Sequence, residues 1–354
     1  MAYTTIDDPS VYFQTVTYTG NSNTNHAVTN TGNSNLQPDW IWVKIRSGQA
    51  DDHVLVDSSR GNLKRLKSNQ DYAEPSDRAE IKSFDSDGFT LGTDDGSSNY
   101  NNFTYVAWQW KVNGGTTSSN TSGSVTSTVQ ANTTAGISIV TWTAANGAYT
   151  IGHGLGTTPA MVITKDRDTS ERNWWTWHQA FGDPASAGGY VALNKNDAKA
   201  TAVNSIWGTQ GLSSTLFGFD ASTSQNDAHV GYFFAEIKGY SKFGSYTGNG
   251  STDGTFVYTG FRPAFVMIKR TDNTSSWSMR DTSRSPSNVV LNRVWADLNN
   301  VESTSTTETI DILSNGFKAR NDIAGINTSG GTYIYMAFAE HPFVSSEGAP
   351  VTAR

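Results

Sequence analysis

The chain has no cysteine among its 354 residues, so it forms no disulfide framework and no thiolate metal site. No apolar run approaches the ~20 residues that a membrane helix requires, which argues against membrane insertion. The opening Met1-Ala-Tyr-Thr-Thr-Ile-Asp-Asp8 lacks the basic and apolar regions of a signal peptide, so a soluble protein made in a cytoplasm is expected. Basic runs are missing too. With 25 Lys+Arg against 32 Asp+Glu the formal charge is −7, a poor match to phosphate, and no nucleic-acid partner is expected. No segment carries a sustained 3.6-residue apolar stripe, and only Asn288–Leu298 reads as a short helix. His26, His53, His153, His178, His229 and His341 stand singly, without the His-x-x-x-His spacing of a zinc site, so no metal or cofactor is expected. A Gly-x-Ser-x-Gly elbow and a Gly-rich phosphate loop are both absent, and no catalytic residue is assigned.

What the chain does hold is Ser, Thr, Asn and Gly in quantity, together with 11 Trp, 14 Tyr and 16 Phe. Disordered chains lack such aromatic content, so a folded protein with a polar surface is expected, built of short strands joined by many turns.

A repeat with a period near 100 residues organises it. Pro38-Asp-Trp-Ile-Trp-Val-Lys44, Pro159-Ala-Met-Val-Ile-Thr-Lys165 and Pro263-Ala-Phe-Val-Met-Ile-Lys269 each read as a strand covered on both faces, opened by a proline that owes no ladder donor. Upstream lie Tyr18, Trp142 and Tyr246, at 20, 17 and 17 residues from the prolines. Downstream, Asp87-Gly88 and Asn315-Gly316 signal tight turns. Each unit closes on an aromatic strand, where Tyr105–Trp110 aligns with Gly231–Glu236 and Tyr335–Glu340.

The expected fold is all-β: three tandem antiparallel β-sandwiches of the jelly-roll type. The boundaries are an arm at 1–16, sandwiches at 17–113, 137–240 and 241–343, a linker at 114–136 and a surface tail at 344–354. As a flexible coil the Gly/Ser/Thr-rich linker would span about 25 Å and let the first unit swing, while the short second junction fixes units two and three.

Two sets of residues stand out as sites. Asp57/Arg60 and Asp281/Arg284 recur at one place in two units and read as structural turn pairs, worth at most about 1 kcal/mol each at a surface. Trp174, Trp175 and Trp177 break the pattern of the second unit, and their outward rings could stack on a saccharide. Asp85-Ser-Asp-Gly88 and Asp94-Asp-Gly-Ser97 resemble calcium loops but lack the closing Glu, and read as turns. Glu236 and Glu340 fall at equivalent strand positions and read as edge residues, not as a glycosidase pair.

Ala2-Tyr-Thr-Thr-Ile-Asp-Asp-Pro9, Asp57-Ser-Ser-Arg-Gly61, Asp87-Gly-Phe-Thr-Leu-Gly92, Lys242-Phe-Gly-Ser-Tyr-Thr-Gly-Asn249, Gly331-Thr-Tyr-Ile-Tyr-Met-Ala-Phe-Ala-Glu340 and the ending Ser345–Arg354 resemble a family of repeat proteins of tailed phages of marine bacteria and cyanobacteria. The resemblance implies a virion structural protein, tail-fibre-like, with concanavalin- or SPRY-like sandwiches. It also implies other virion proteins as partners, a host-surface glycan as a candidate ligand, and a homo-oligomer, with a trimer as one form. Alternatives are a capsid decoration or head-fibre protein without a receptor and, more remotely, an envelope-glycan depolymerase.

Overall fold

The computed structural model describes residues 3–75, 79–92, 96–185, 188–201, 206–220 and 226–351. The first unit contains β1 (Phe13–Thr19), β2 (His26–Val28), β3 (Trp40–Ile45), β4 (Val54–Asp57), β5 (Ile81–Asp85), β6 (Gly88–Leu91) and β7 (Thr104–Trp110). They form a large sheet, β1–β7–β3–β4, and a small one, β2–β6–β5. The second unit contains β8 (Ser118–Asn120), β9 (Ser127–Asn132), β10 (Ile137–Thr143), β11 (Tyr149–Gly152), β12 (Met161–Asp166) and β13 (Trp175–His178). It continues with β14 (Gly189–Ala192), β15 (Ala200–Thr201), β16 (Trp207–Leu212), β17 (Leu216–Phe219) and β18 (Ala228–Phe234). Its sheets are β15–β14–β13–β12–β18–β10–β9–β8 and β11–β17–β16. The third unit contains β19 (Ser241–Thr247), β20 (Phe256–Tyr258), β21 (Phe261–Arg270), β22 (Ser278–Asp281), β23 (Val294–Trp295), β24 (Ile310–Leu313), β25 (Gly316–Ala319) and β26 (Thr332–Pro342). Its sheets are β19–β26–β21–β22–β23 and β20–β25–β24.

Local sequence explains the hairpins. Asp85 pairs with Gly88 across a two-residue turn, and Gly88 sits at φ +102°, where an L side chain is strained and would also meet the Val28 carbonyl. The Asp–Ser–Asp–Gly stretch is therefore a turn: Asp85 accepts from Ser83 and Thr90, and Asp87 accepts the Leu36 N–H. Asp94 and Asp95 lie outside the described residues. Asn288–Leu298 is not a helix but a turn-rich segment leading into β23; its Ser/Asn-rich start binds its own surroundings, with Asn288 exchanging two hydrogen bonds with Ile312.

Every residue of β3, β12 and β21's second half is buried, because each large sheet is covered on both sides. Ile41, Val43 and Ile45 face the small sheet of their own unit, as do Val162 in unit two and Val266 and Ile268 in unit three. Trp40, Trp42, Met161, Ile163, Phe265 and Met267 point the other way, into one core shared by all three units. There Trp40 stacks on Tyr232 at 4.2 Å, Trp108 meets Phe265 at 5.7 Å, and Phe234 meets Phe243 at 5.7 Å. Each pair of units is in contact, so the chain closes a ring of three sandwiches around its own centre.

Strand register fixes which residues correspond. Trp40 opposes Trp110, Met161 opposes Phe234, and Phe265 opposes Phe338. The first unit's closing strand is thus displaced by two residues from the alignment by sequence: Trp110, not Trp108, corresponds to Phe234 and Phe338. A shift of two keeps every side chain on its face.

The segment 114–136 is not a flexible linker. β9 pairs with β10 along five residue pairs, from Ile137–Asn132 to Thr141–Thr128, and β8 pairs with β9. Its small polar residues suit an edge strand as well as a coil, and composition does not separate the two. Nor does the first unit swing, since its Trp40, Trp42, Trp108 and Trp110 are fixed in the shared core. The arm at 1–16 contains the start of β1, and its preceding residues tie to the third unit and the tail: Tyr3 donates to the Gly260 carbonyl at 2.7 Å, and Asp7 accepts the Ser346 N–H at 2.7 Å.

Candidate functional site

The specific chemistry of this chain is concentrated at the three seams between units, and it repeats cyclically. The Glu74 N–H donates to the Arg167 carbonyl at 2.7 Å, Lys199 N–H to Thr271 at 2.8 Å, and Glu302 N–H to Arg46 at 3.0 Å. These are one hydrogen bond made three times: unit one to two, two to three, and three to one.

Asp57 and Arg60 belong to the first of these seams. Asp57 Oδ1 accepts the Arg60 backbone N–H at 2.9 Å, and its Oδ2 accepts Arg60 Nε at 2.5 Å and the Tyr232 hydroxyl of unit two at 2.8 Å. Arg60 also binds Glu74, which in turn holds Arg167 of unit two at 2.7 Å. The seam from unit three to unit one repeats this. Asp281 binds Arg284 Nε at 2.6 Å and accepts Trp108 Nε1 at 3.1 Å, while Glu302 bridges Arg284 at 3.0 Å and Arg46 at 2.9 Å. Both Asp–Arg pairs are fully buried, with 0% side-chain exposure, so the surface value expected from sequence does not apply to them. Burial works against the charges of Glu74 and Glu302, but the two arginines around each outweigh it and hold its carboxyl below the usual range. Glu74 and Glu302 have no sequence signature of their own. A trace lies in Lys44-x-Arg46 and Lys165-x-Arg167, two residues past each repeat lysine.

At the seam from unit two to unit three the whole relay is rewritten. Register places His178 opposite Met161, where Asp57 and Asp281 stand in the siblings. Phe181 takes the place of the arginine, Lys199 that of the glutamate, and Thr271 that of the distal arginine. The Lys199 ammonium lies 5.5 Å from the Phe181 ring centre, and His178 Nε2 donates to the Tyr335 carbonyl at 3.3 Å. A cavity of about 470 Å³ opens here, bordered by Phe181, Lys199, Ser245, Thr271 and Thr332.

Trp174 is a seam residue and not an outward ring. Its indole N–H reaches the Lys67 carbonyl of unit one at 2.9 Å, as Trp277 reaches Ala192 and His53 reaches Trp295, each at 2.9 Å. Trp177 lies inside the second sandwich and donates to Gly182. Both rings are shut off from solvent, which removes them as stacking platforms. Trp175 alone is half-buried, edge-on to Tyr190 at 5.0 Å. Trp174→Phe, which removes the indole N–H shared by the Lys67 and Gln70 carbonyls, should cost about 2 kcal/mol in urea unfolding, and Trp175→Phe less than about 0.5 kcal/mol. Equal losses would mean that the Trp174 hydrogen bond carries nothing. Glu236 and Glu340 are paired with Lys242 and Arg262.

Three buried histidines share one arrangement. His53 Nδ1 accepts from Trp42 Nε1 at 2.8 Å, His178 Nδ1 from the Ala180 N–H at 3.1 Å, and His153 Nδ1 from the Leu155 N–H at 3.3 Å. Each Nε2–H then donates to a carbonyl. A donor facing Nδ1 leaves no room for a second proton, and burial lowers the pKa to about 3 for His53, aided by Lys44, and to about 4 for His153 and His178. The repeat lysines are buried as well. Burial lowers Lys44 to about 7, and Lys165 and Lys269 to about 8, against the pull of nearby carboxylates. Lys44 and Lys269 span seams, binding the Asn299 and Asn196 carbonyls.

No curated protein and no solved structure matches the chain. A family model does match residues 8–342, nearly the whole length. The chain belongs to the family described as Domain of unknown function (DUF7483).

Proposed function

We propose that this chain is a non-enzymatic structural protein of a phage virion, a tail-fibre-like appendage component that contacts the host surface. The observation that carries the reading is the ring itself. Three sandwiches share one core and are clamped by buried ion relays, which makes a rigid body whose chemistry is spent on holding its shape. The resemblance of its repeats to those of tailed-phage proteins supplies the setting. Surface glycan contact has support in one place: Phe256 and Tyr258, 45% and 53% exposed, lie on one outward face of β20. Trp174 and Trp177 have no part in it.

Gold labelling of purified particles with an antibody to this chain tests the reading. Label along the tail or its fibres is expected; its absence from the particle overturns the proposal. A compact ring, unlike a long shaft, also suits capsid decoration, and label confined to the head selects that second reading. For the host contact, Tyr258→Ala should weaken binding to purified host envelopes at least tenfold. Unchanged binding removes the glycan role and leaves the structural one.

A further inference from the structure

Three edge strands occupy equivalent places in the ring, and the chain shows what one of them receives. In β19, residues 241, 243, 245 and 247 turn their backbone groups away from β26, because the Phe243 carbonyl accepts from Gln179 of unit two and groups on alternate residues share a side. By the same register, 15 and 17 face outward in β1, where the Thr15 carbonyl accepts the Ser283 hydroxyl of unit three at 3.0 Å. The corresponding residues of β10 are Ile139 and Thr141, and there the outward groups are paired with Gln130 and Thr128 of β9. One edge of the three is thus already extended by a strand of small polar residues. Where that strand lies, the neighbouring turn has not been displaced: Ser58 and Ser59 of unit one accept hydrogen bonds from the Gln130 carboxamide at 2.9 and 2.8 Å.

The two remaining edges differ in room. Along β1 the space is about 230 Å³ and is bordered by Thr31–Asn33. Along β19 it is about 470 Å³, because the relay that fills the other seams has been replaced by Phe181, Lys199 and Thr271 with Ala180 and Ala198 beside them. Ser245 and Thr247 are exposed; the Thr247 carbonyl accepts the Thr255 hydroxyl at 2.9 Å, and among the described residues no strand pairs with the outward side of β19, the end strand of its sheet. An unpaired edge beside an open cavity is a template for strand addition.

We propose that the β19 edge accepts an extended strand from a partner polypeptide, uncharged and rich in small hydroxyl side chains with a carboxamide facing Phe243. It would continue the large sheet of unit three as β9 continues that of unit two. The Gln179 side chain, now on the Phe243 carbonyl, would transfer to the incoming carboxamide, as Ser58 and Ser59 bind that of Gln130. The occupant is a partner chain and not a second copy of β9, which is held on both sides in its own sheet. This rests on the reading of the protein as a structural component with virion partners, and it names the contact.

The test uses the full-length protein and a synthetic peptide of its own sequence from Ser124 to Thr134. At millimolar peptide, amide hydrogen exchange at Ser245 and Thr247 should slow at least tenfold. Exchange in β10 should stay unchanged. In Ser245→Pro, which removes an outward N–H without touching the β19–β26 ladder, the protection should vanish while the melting temperature holds within a few degrees. Unchanged exchange at Ser245 and Thr247, equal protection in Ser245→Pro, or an effect confined to β10 through exchange with β9 each overturns the proposal. None of these outcomes bears on where antibody labels the particle, so the two readings fail separately.

Discussion

Acidification from pH 6.5 to 4.5 should remove several kcal/mol of stability, before most carboxylates begin to protonate. His53, His153 and His178 are unprotonated in the folded chain at pH 6.5 and stay largely so down to about pH 5, whereas in the unfolded chain they take up a proton around pH 6.5. The unfolded state then binds more protons, so stability is full above pH 6.5 and is lost as pH falls toward the folded values of about 3 and about 4. Each histidine contributes at most about 3–5 kcal/mol across its whole window, against a typical total of ~5–15 kcal/mol. Urea unfolding at half-unit steps checks this, and a flat stability between pH 6.5 and 4.5 refutes it. His53 and His178 both bind carbonyls of unit three, so exchange at the seams of that unit should quicken first. Around His53 stand Lys44, which opposes its protonation, and Asp52, which favours it. Near His178 the Glu236–Lys242 pair approaches through Gln179. Lys44, Lys165 and Lys269 act with the same sign at higher pH. Their folded values lie below the unfolded one, so stability should go on rising from pH 7 toward 10, until tyrosines such as Tyr232, raised by burial, reverse the slope.

Arg60→Met should cost about 3–5 kcal/mol, because it leaves Asp57 and Glu74 buried beside one another with Arg167 as their nearest cation. Arg284→Met should cost as much at the opposite seam, where Arg46 alone would face Asp281 and Glu302. The protein contains its own control. At the seam between units two and three the four positions are His, Phe, Lys and Thr, and the ring still closes. Carrying that set to the first seam, as Asp57→His, Arg60→Phe, Glu74→Lys and Arg167→Thr together, should recover at least half of what Arg60→Met loses. Chemical denaturation of the three variants measures it. A quadruple variant less stable than Arg60→Met would mean that the groups do not act as a set.

The strands and their turns were legible because their signals are local. Apolar runs such as Trp40–Val43 and glycines after Asp87 and Asn315 announce a fully covered strand and a hairpin within a few residues. The identity of the cover was not legible. Trp40 faces Tyr232, and Trp108 faces Phe265, across more than 150 residues of chain, and no periodicity links them. Polarity misled in two places for one reason. Asp57 and Arg60 read as surface groups, and 114–136 as a coil, because composition reports what water would prefer and not what a neighbouring unit supplies. The second unit's departure was visible in Trp174–Trp177, but its meaning lay in four positions that come together only when the ring closes: His178, Phe181, Lys199 and Thr271.

The shared core also sets a schedule on the ribosome. Trp40, Trp42, Trp108 and Trp110 leave the exit tunnel early, yet their cover includes Phe265 and Phe338, made near the end of the chain. At ~5–20 residues/s the wait is on the order of ten to fifty seconds. Throughout it the first unit carries a bare face of four indoles. A nascent chain in that condition is a client for holdases, and one released early, before β26 is made, is a candidate for aggregation in place of partial function.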